Sequence, residues 1–554
     1  MKIMLVAINA KYIHSNLAVY SLYSYAREYQ KDIVIGEYTI NQKNDEIISN
    51  IYREKPDVLG FSCYIWNISQ ILEIAGELHK VLPQVQIWLG GPEVSYDARE
   101  VLLKNSFIDV VIQGEGEQTF YELVAHYVDG WNDLADIKGI TWRKGDDEII
   151  ANEQREQLDL NRLPFVYEQF PPNRIIYYES SRGCPFSCSY CLSSIDKKLR
   201  FRDVAIVQKE LQYFLDAQVP QVKFVDRTFN CDHEHAMAIW TYLKEHDNGV
   251  TNFHFEIAAD ILNDQEVKLL NSLRGGQVQL EIGVQSVNSQ TLKAINRQMD
   301  FAKVAQRVRE VQKGNNIHQH LDLIVGLPYE DYESFQRSFD AVYELQPGQL
   351  QLGFLKVLKG SEMADKAIHY ECQYHSHPPY EVLATKWLDY GDILKLKQVE
   401  EMVEIYYNSA QFTKAIAQVV PLFTSPFVFY QELGQFYQRR GYASIAHSRM
   451  KRYDILLEFL QEIPQIDLAY YQELLLFDLY AREKLKKRPA WAKAELKSKL
   501  NKDNMTHLEK FNYDIDSGLM KRLAEPLTIA FDYNNRDALT YNAKYKKVLD
   551  IKFE

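Results

Sequence analysis

The sequence predicts an α/β protein in three parts: a flavodoxin- or Rossmann-like parallel-sheet domain, a partial (βα)6 TIM-like barrel, and a mostly helical C-terminal part. Three observations carry this expectation. Short continuous apolar runs alternate with amphipathic stretches up to about residue 155, as they must where a parallel sheet is covered on both faces. Strand-like and helical runs alternate again from about 173 to 360. Beyond 361 the pattern turns helical and aromatic. The expected domain bounds are 1–165, 166–360 and 361–554.

In the first part, Lys2–Ala7, Asp57–Ser62, Val85–Leu89 and Asp109–Ile112 read as strands, with helices such as Leu17–Tyr29 and Ile68–Leu82 between them. Ligands of such sheets sit outside the carboxyl ends of the strands. Those ends carry Phe61-Ser62-Cys63-Tyr64-Ile65-Trp66-Asn67, Gly90-Gly91-Pro92-Glu93 and Gln113-Gly114-Glu115-Gly116-Glu117. Glycine at a strand exit either makes the turn or lets backbone approach a bulky ligand. A strand pair from Gly139 and a polar linker close the part, and Pro164, Pro171 and Pro172 mark the boundary.

The second part opens on the β-prone Arg174–Glu179 and runs into Ser180-Ser181-Arg182-Gly183-Cys184-Pro185-Phe186-Ser187-Cys188-Ser189-Tyr190-Cys191. Three of the six cysteines lie here, spaced C-x3-C-x2-C, and the next, Cys231, is about forty residues on. Thiolates suit iron–sulfur clusters or zinc. A zinc knuckle would need a fourth ligand close by, whereas three thiolates on a four-iron cluster leave one iron open for reaction. Further strands are expected at Val222–Phe229, Phe253–Ala259, Val278–Val284, His320–Val325 and Leu350–Val357. Barrel chemistry sits at carboxyl ends, which draws notice to Asp226-Arg227-Thr228, Asp260, Glu281–Ser286 and Asp322–Pro328.

The cysteine spacing at the end of a first barrel strand resembles the radical S-adenosylmethionine (SAM) superfamily. That resemblance implies a [4Fe-4S] cluster on Cys184, Cys188 and Cys191, with SAM chelating the open iron and cleaved there to a 5′-deoxyadenosyl radical. It implies SAM contacts at Phe186, Tyr190, Asp226 and Arg227. Glu281, Gln285 and Ser286 match the strand-four pattern for SAM ribose and carboxylate, and Ile324 and Gly326 match part of the strand-five adenine motif, whose acid is Glu330, one place late. The strand-two Gly-Gly-Glu is replaced by Val225-Asp226-Arg227-Thr228-Phe229-Asn230. A buried salt-bridge layer is the competing reading of Asp226, Arg227 and Glu281.

Placed before that motif, the first part resembles the cobalamin-binding domain of class B radical SAM enzymes. Gly90-Gly91 matches the family's G-G element, and Ser62-Cys63-Tyr64 keeps the serine of S-x-L but not the leucine. The resemblance implies cobalamin contacts at Ser62, Cys63, Tyr64, Trp66, Gly90, Gly91, Pro92, Glu93, Gln113, Gly114 and Glu115. The family's D-x-H-x2-G is missing; Asn9–Ser15 stands in its place, and His14 reads as a polar loop residue.

In the tail, helices are expected at Ala384–Leu396, Val399–Asn408, Tyr453–Gln461 and Tyr470–Leu485, with a strand pair at Leu527–Tyr533 and Tyr541–Leu549. The whole resembles cobalamin-type radical SAM proteins ending in a domain of unknown function. His369, Cys372, His375 and His377 have metal-like spacing but read as a polar loop. Arg482–Lys502, with Lys484, Lys486, Lys487, Arg488, Lys493, Lys497 and Lys499 around Trp491, reads as a solvated helix face before it reads as an RNA contact.

Net charge of −13, from 63 basic and 76 acidic residues, argues against general nucleic-acid or anionic-membrane binding. Few cysteines in a long chain suit a reducing compartment. No apolar run reaches the roughly twenty residues of a membrane span, and Met1–Ala7 enters a strand at once, so a cytoplasmic protein is expected. The expected activity is cobalamin-dependent methyl transfer to an unactivated carbon of a small-molecule or peptide substrate, fed by a flavodoxin- or ferredoxin-like electron donor. Competing expectations are radical cyclisation of the anaerobic chlorophyll-cyclase type, RNA methylthiolation, and a cluster-based redox or cobalamin sensor.

Overall fold

A computed structural model describes residues 1–145, 148–167, 173–443, 445–492, 505–515, 517–518 and 520–548. The chain divides into two units. One comprises Met1–Leu269, Lys293–Gln298 and Leu355–Thr385; the other comprises Leu270–Leu292, Met299–Phe354 and Lys386–Glu554.

The first unit begins with a seven-stranded sheet: β1 (Ile3–Asn9), β2 (Ile33–Thr39), β3 (Val58–Ser62), β4 (Gln86–Gly90), β5 (Val110–Ile112), β6 (Ile140–Lys144) and β7 (Glu148–Ala151). Their order is β2-β1-β3-β4-β5-β6-β7; the first five are parallel, and β6 and β7 are antiparallel additions. All seven residues of β1 are buried, and alternation along the strand divides them between two cores. Ile3, Leu5 and Ala7 pack with Val19, Trp88 and Phe120 on one face. Met4, Val6 and Ile8 pack with Ile47, Ile71 and Leu102 on the other. This is why the strands read as unbroken apolar runs. Among the helices, Leu17–Tyr25 is shorter than expected, giving way to a 3-10 turn at Arg27–Asp32. Asn16 caps it by accepting from Val19 N–H.

The same unit continues with β8 (Ile176–Tyr178), β9 (Ser181–Arg182), β10 (Arg200–Phe201), β11 (Gln221–Phe224) and β12 (Asn252–Ile257). β8, β11 and β12 are parallel neighbours, separated by the helices Val204–Asp216 and His233–Glu245. The expected linker prolines Pro171 and Pro172 lie outside the described residues.

The second unit contributes three more parallel strands, β13 (Val278–Gln285), β14 (His318–Val325) and β15 (Gln349–Phe354). Each unit thus holds three such parallel strands with intervening helices, which matches in number the six expected. After Lys386 come helices at Tyr390–Val403, Thr413–Val419, Pro426–Arg439, Arg449–Gln461 and Leu468–Arg482. The first starts later than the sequence suggests, because Asp389 caps it by accepting from Asp392 N–H, while Val382–Ala384 is extended. The expected closing strand pair is a three-stranded antiparallel sheet: β16 (Thr506–Tyr513), β17 (Arg522–Arg536) and β18 (Ala543–Val548). The polar alternation of β16 hid it from the sequence reading, and Leu549 lies outside the described residues.

Candidate functional site

The cysteine loop leaves β8 and is clamped before its first thiol. β9 pairs with β10, Arg182 opposite Arg200. Gly183 then adopts φ +94°, and a Cβ there would come within 2.5 Å of the Lys198 carbonyl, so only glycine makes the turn. Beyond it, Cys184 N–H donates to Asp196 O at 2.9 Å, Cys191 N–H to Cys188 O at 3.1 Å, and Ser189 N–H to Ile295 O at 2.9 Å. The thiols of Cys184 and Cys188 are buried and that of Cys191 is half-buried.

Two polar groups face the sulfurs. Arg297 donates to Cys188 Sγ at 3.6 Å and to Tyr190 Oη at 3.5 Å, and Thr228 Oγ1 lies 3.8 Å from Cys184 Sγ. A guanidinium turned to a buried sulfur suits a thiolate that carries metal. Among the described residues, the group whose ligand atoms all fall within 4.8 Å of one another is Glu281, His320 and Asp322; the three thiols are more widely spread, as suits a cluster better than a single ion. The donor set therefore fits a multi-iron cluster. Sequence reading missed Thr228 and Arg297 as sulfur partners; for Arg297 there was no local signal.

Asp226, expected near SAM, is buried and used inside the fold. Its carboxylate accepts from Ser180 N–H at 3.0 Å and from the Ser180 and Ser181 hydroxyls at 2.6 Å. Burial pushes its carboxyl up to about 6, against those hydrogen bonds. It ties the exit of β11 to the exit of β8. Arg227, next to it, is exposed. Phe186 sits in the cysteine loop, half-buried.

The exits of the first sheet are joined to this loop by ion pairs. Arg182 meets Glu117 at 2.5 Å, Glu179 at 2.9 Å and Glu115 at 3.7 Å; Arg200 meets Glu115 at 2.5 Å and Asp196 at 2.9 Å. Leu158 N–H donates to the remaining Glu115 oxygen. Gln113 is also engaged, donating to Ser95 O and accepting from Thr141. Glu93 accepts from Tyr380 Oη at 2.5 Å, with Lys359 at 3.6 Å. These three predicted cobalamin residues thus brace the exits.

Others present open surface. Tyr64 and Trp66 stack with ring centroids 4.4 Å apart and planes at 5°; Trp66 is 44% exposed, and its indole donates to Ile8 O. Cys63 is fully buried, its N–H donating to Gly90 O. Gly91 has φ +115°, and a Cβ would collide with the Cys63 carbonyl. Ser62, Tyr64, Gly90, Gly91 and Gly114 line one cavity of about 140 Å³ that runs inward beside Trp88 and Phe120. Pro92, Glu115 and Arg227 line a larger cavity of about 460 Å³ beside the cysteine loop. His14 bonds Tyr177 Oη at 2.7 Å and so latches the Asn9–Ser15 loop to β8, as a polar loop residue would.

In the second unit, Ser286 donates to Glu330 at 2.7 Å, and Ser338 donates to the same oxygen at 2.8 Å. Burial pushes the Glu330 carboxyl up to about 7. Gln285 and Gly326 both take positive φ, where strands β13 and β14 turn out, and Ile324 lies near the end of β14. Glu281 faces His320 across the register. His369, Cys372, His375 and His377 do not gather their ligand atoms. Of the basic tail stretch, Arg488 pairs with Glu509 at 2.7 Å and Trp491 donates to Asp454 at 2.9 Å; Lys493, Lys497 and Lys499 lie outside the described residues.

Family models match along the chain in the same order as these features. Residues 3–124 match the B12 binding domain, residues 178–342 the radical SAM superfamily, and residues 368–525 a protein family of unknown function, DUF4080. The chain thus carries a match to a B12-binding model ahead of a match to a radical SAM model, and these two models imply cobalamin, SAM and a [4Fe-4S] cluster as cofactors. Among curated proteins it is 24% identical over 315 residues to the cobalamin-dependent radical SAM methyltransferase TokK of Streptomyces tokunonensis, covering 52% of this chain and 45% of that one. It is 26% identical over 346 residues to the anaerobic magnesium-protoporphyrin IX monomethyl ester cyclase of Rubrivivax gelatinosus, covering 59% of this chain and 61% of that one. The chain thus spans about half the length of the first of these. Among solved structures, the cobalamin-dependent SAM radical enzyme OxsB with aqua-cobalamin and SAM bound aligns at a TM-score of 0.58 and 15% identity, covering 86% of this chain and 79% of that one. That likeness speaks for the fold.

Proposed function

We propose that this protein is a cobalamin-dependent radical SAM enzyme that transfers a methyl group to an unactivated carbon. One observation carries the reading: a three-cysteine loop and the glycine-rich exits of a B12-binding sheet lie in one unit, joined by the Arg182 and Arg200 ion pairs. When bound, the cluster with SAM supplies a radical that abstracts hydrogen, and cobalamin supplies the methyl group.

The chain's own residues hold and shield. Cys184, Cys188 and Cys191 would hold the cluster, and Arg297 and Thr228, which direct their polar groups at the sulfurs, would tune its reduction potential. In the second unit, Glu330 fixes the Ser286 hydroxyl, and Glu281, Gln285, Ser286, Ile324 and Gly326 are the strand-exit residues that match the SAM pattern. Tyr64 and Trp66 would offer cobalamin a flat aromatic platform. Gly90, Gly91 and Gly114 let the cofactor approach the backbone.

No helix among the described residues is long and apolar enough to cross a membrane. A cytoplasmic setting, a flavodoxin- or ferredoxin-like electron donor, and a division at 1–165, 166–360 and 361–554 complete the proposal. Anaerobic reconstitution with iron and sulfide should give a brown protein that releases 5′-deoxyadenosine from SAM under a low-potential reductant. Cys188→Ala should abolish that product, and retained activity would refute the assignment. Methyl-labelled SAM then separates methyl transfer, which moves label to product, from cyclisation, which does not.

A further inference from the structure

We propose that the cavity beside the cysteine loop binds an anionic small molecule, a carboxylate or phosphate ester, and that Arg227 is its anchor. As a statement about the substrate, this rests on the radical SAM reading above; as a binding site, it stands on the geometry alone.

The cavity of about 460 Å³ is in the range of small-molecule sites. Its wall comes from Gly114–Glu117 after β5, from Glu179–Gly183 leading into Cys184, and from Arg227 after β11. The other cations on that wall are spent. Arg182 holds Glu117 and Glu179, and Arg202 holds Glu210 at 2.6 Å. Arg227 is exposed; its carbonyl accepts from Thr228 Oγ1 at 2.9 Å, and its guanidinium has no ion pair or hydrogen bond among the described residues.

Its position is central. The next residue, Thr228, touches Cys184. On the other side, Pro92 after β4 and Gly114 after β5 line the same cavity. A ligand on Arg227 therefore lies between the cysteine loop and the exits of β4 and β5.

The chemistry of the guanidinium selects the partner. It is always charged and has five donors and no acceptor, so it repels the SAM ammonium and cannot replace the family's strand-two contact to it. It pairs with a carboxylate or phosphate in a forked geometry. The carboxylates on the same wall, Glu115, Glu117, Glu179, Asp196 and Glu210, are each paired to Arg182, Arg200 or Arg202, which leaves the Arg227 guanidinium as the charge without an ion pair there among the described residues. Three molecules could bring that oxyanion. The same cavity is lined by the cobalamin candidates Pro92, Gly114 and Glu115, so the oxyanion belongs to the substrate or to a cofactor, and the experiment separates the two.

The test uses full-length protein loaded with cluster, cobalamin and SAM, titrated anaerobically by calorimetry with benzoate, and with benzamide as the neutral twin. The wild type should bind benzoate at least about tenfold more tightly than benzamide, a difference of about 1.4 kcal/mol. Arg227→Gln should erase that preference, and Arg227→Lys should restore part of it. No preference in the wild type, or a preference that survives Arg227→Gln, overturns the proposal. So does a loss in Arg227→Gln of SAM affinity or of bound cobalamin as large as the loss of benzoate, because the arginine would then serve the cofactor. Formation of 5′-deoxyadenosine, scored separately, reports on the enzyme reading and not on the anion site.

Discussion

Arg297 reaches Cys188 from 109 positions away in the sequence, and also meets Tyr190 in the same loop. A buried guanidinium is costly unless its charge is answered, and here the Cys188 sulfur, which would be anionic as a cluster ligand, answers it together with the Asp260 charge. Donors at cluster sulfurs stabilise the more reduced, more negative state. Arg297→Met should therefore move the cluster's reduction potential downward, read by a redox titration followed by electron paramagnetic resonance. An unmoved potential would leave Arg297 a packing residue. At this scale the sequence was generous with the ligands and silent about their partners. Cys184, Cys188 and Cys191 stand out by spacing alone, whereas Arg297 and Thr228 differ in no local way from other arginines and threonines.

Among elements, the exits of β5 and β8 are locked by Arg182, with Glu117 almost fully buried at one end of the ion pair. Burial raises the Glu117 carboxyl, and the Arg182 charge more than offsets this, holding it below its ordinary value. Breaking a buried pair leaves an uncompensated charge and costs about 3–5 kcal/mol. Arg182→Met should lower the first unit's melting temperature by several degrees and loosen cobalamin retention; a melting temperature within a degree of wild type would contradict the lock.

A second elementary contact lies in the tail, where Asp478 accepts from Thr413 Oγ1 and from the N–H groups of Lys414 and Ala415, capping the helix that starts there. Burial pushes its carboxyl up to about 7. A folded value above the unfolded one means that the folded chain binds more protons between about pH 4 and pH 7. The group's contribution to stability then falls as pH rises through that window and is flat above it. The stability difference between wild type and Asp478→Asn should shrink between pH 5 and pH 8, measured by thermal unfolding. Helix and strand types were legible here because periodicity is local. β16 was not, since its half-buried, charged alternation only becomes a strand when β17 supplies the partner.

For the molecule as a whole, the acidic balance weighs against RNA modification. With Arg488 paired to Glu509 and Trp491 held by Asp454, the basic stretch of the tail is partly absorbed by the fold. Bulk tRNA at about 0.15 M salt should leave the protein's mobility unchanged, and salt-sensitive retention would return RNA modification to consideration.

The order of parts was readable before any coordinates: two strand-and-helix alternations around a cysteine loop, then a helical tail. Backbone periodicity and ligand spacing are written in consecutive residues, so the sequence by itself determined the fold class and singled out the candidate cluster ligands. Only tertiary structure decided that Arg182 serves Glu117, that Asp226 is spent on two serines, that Tyr380 answers Glu93, and that Arg227 alone on its cavity wall is left unspent among the described residues. Such pairings join side chains that are 45 to 287 positions apart, and no local pattern encodes which buried charge will meet which partner.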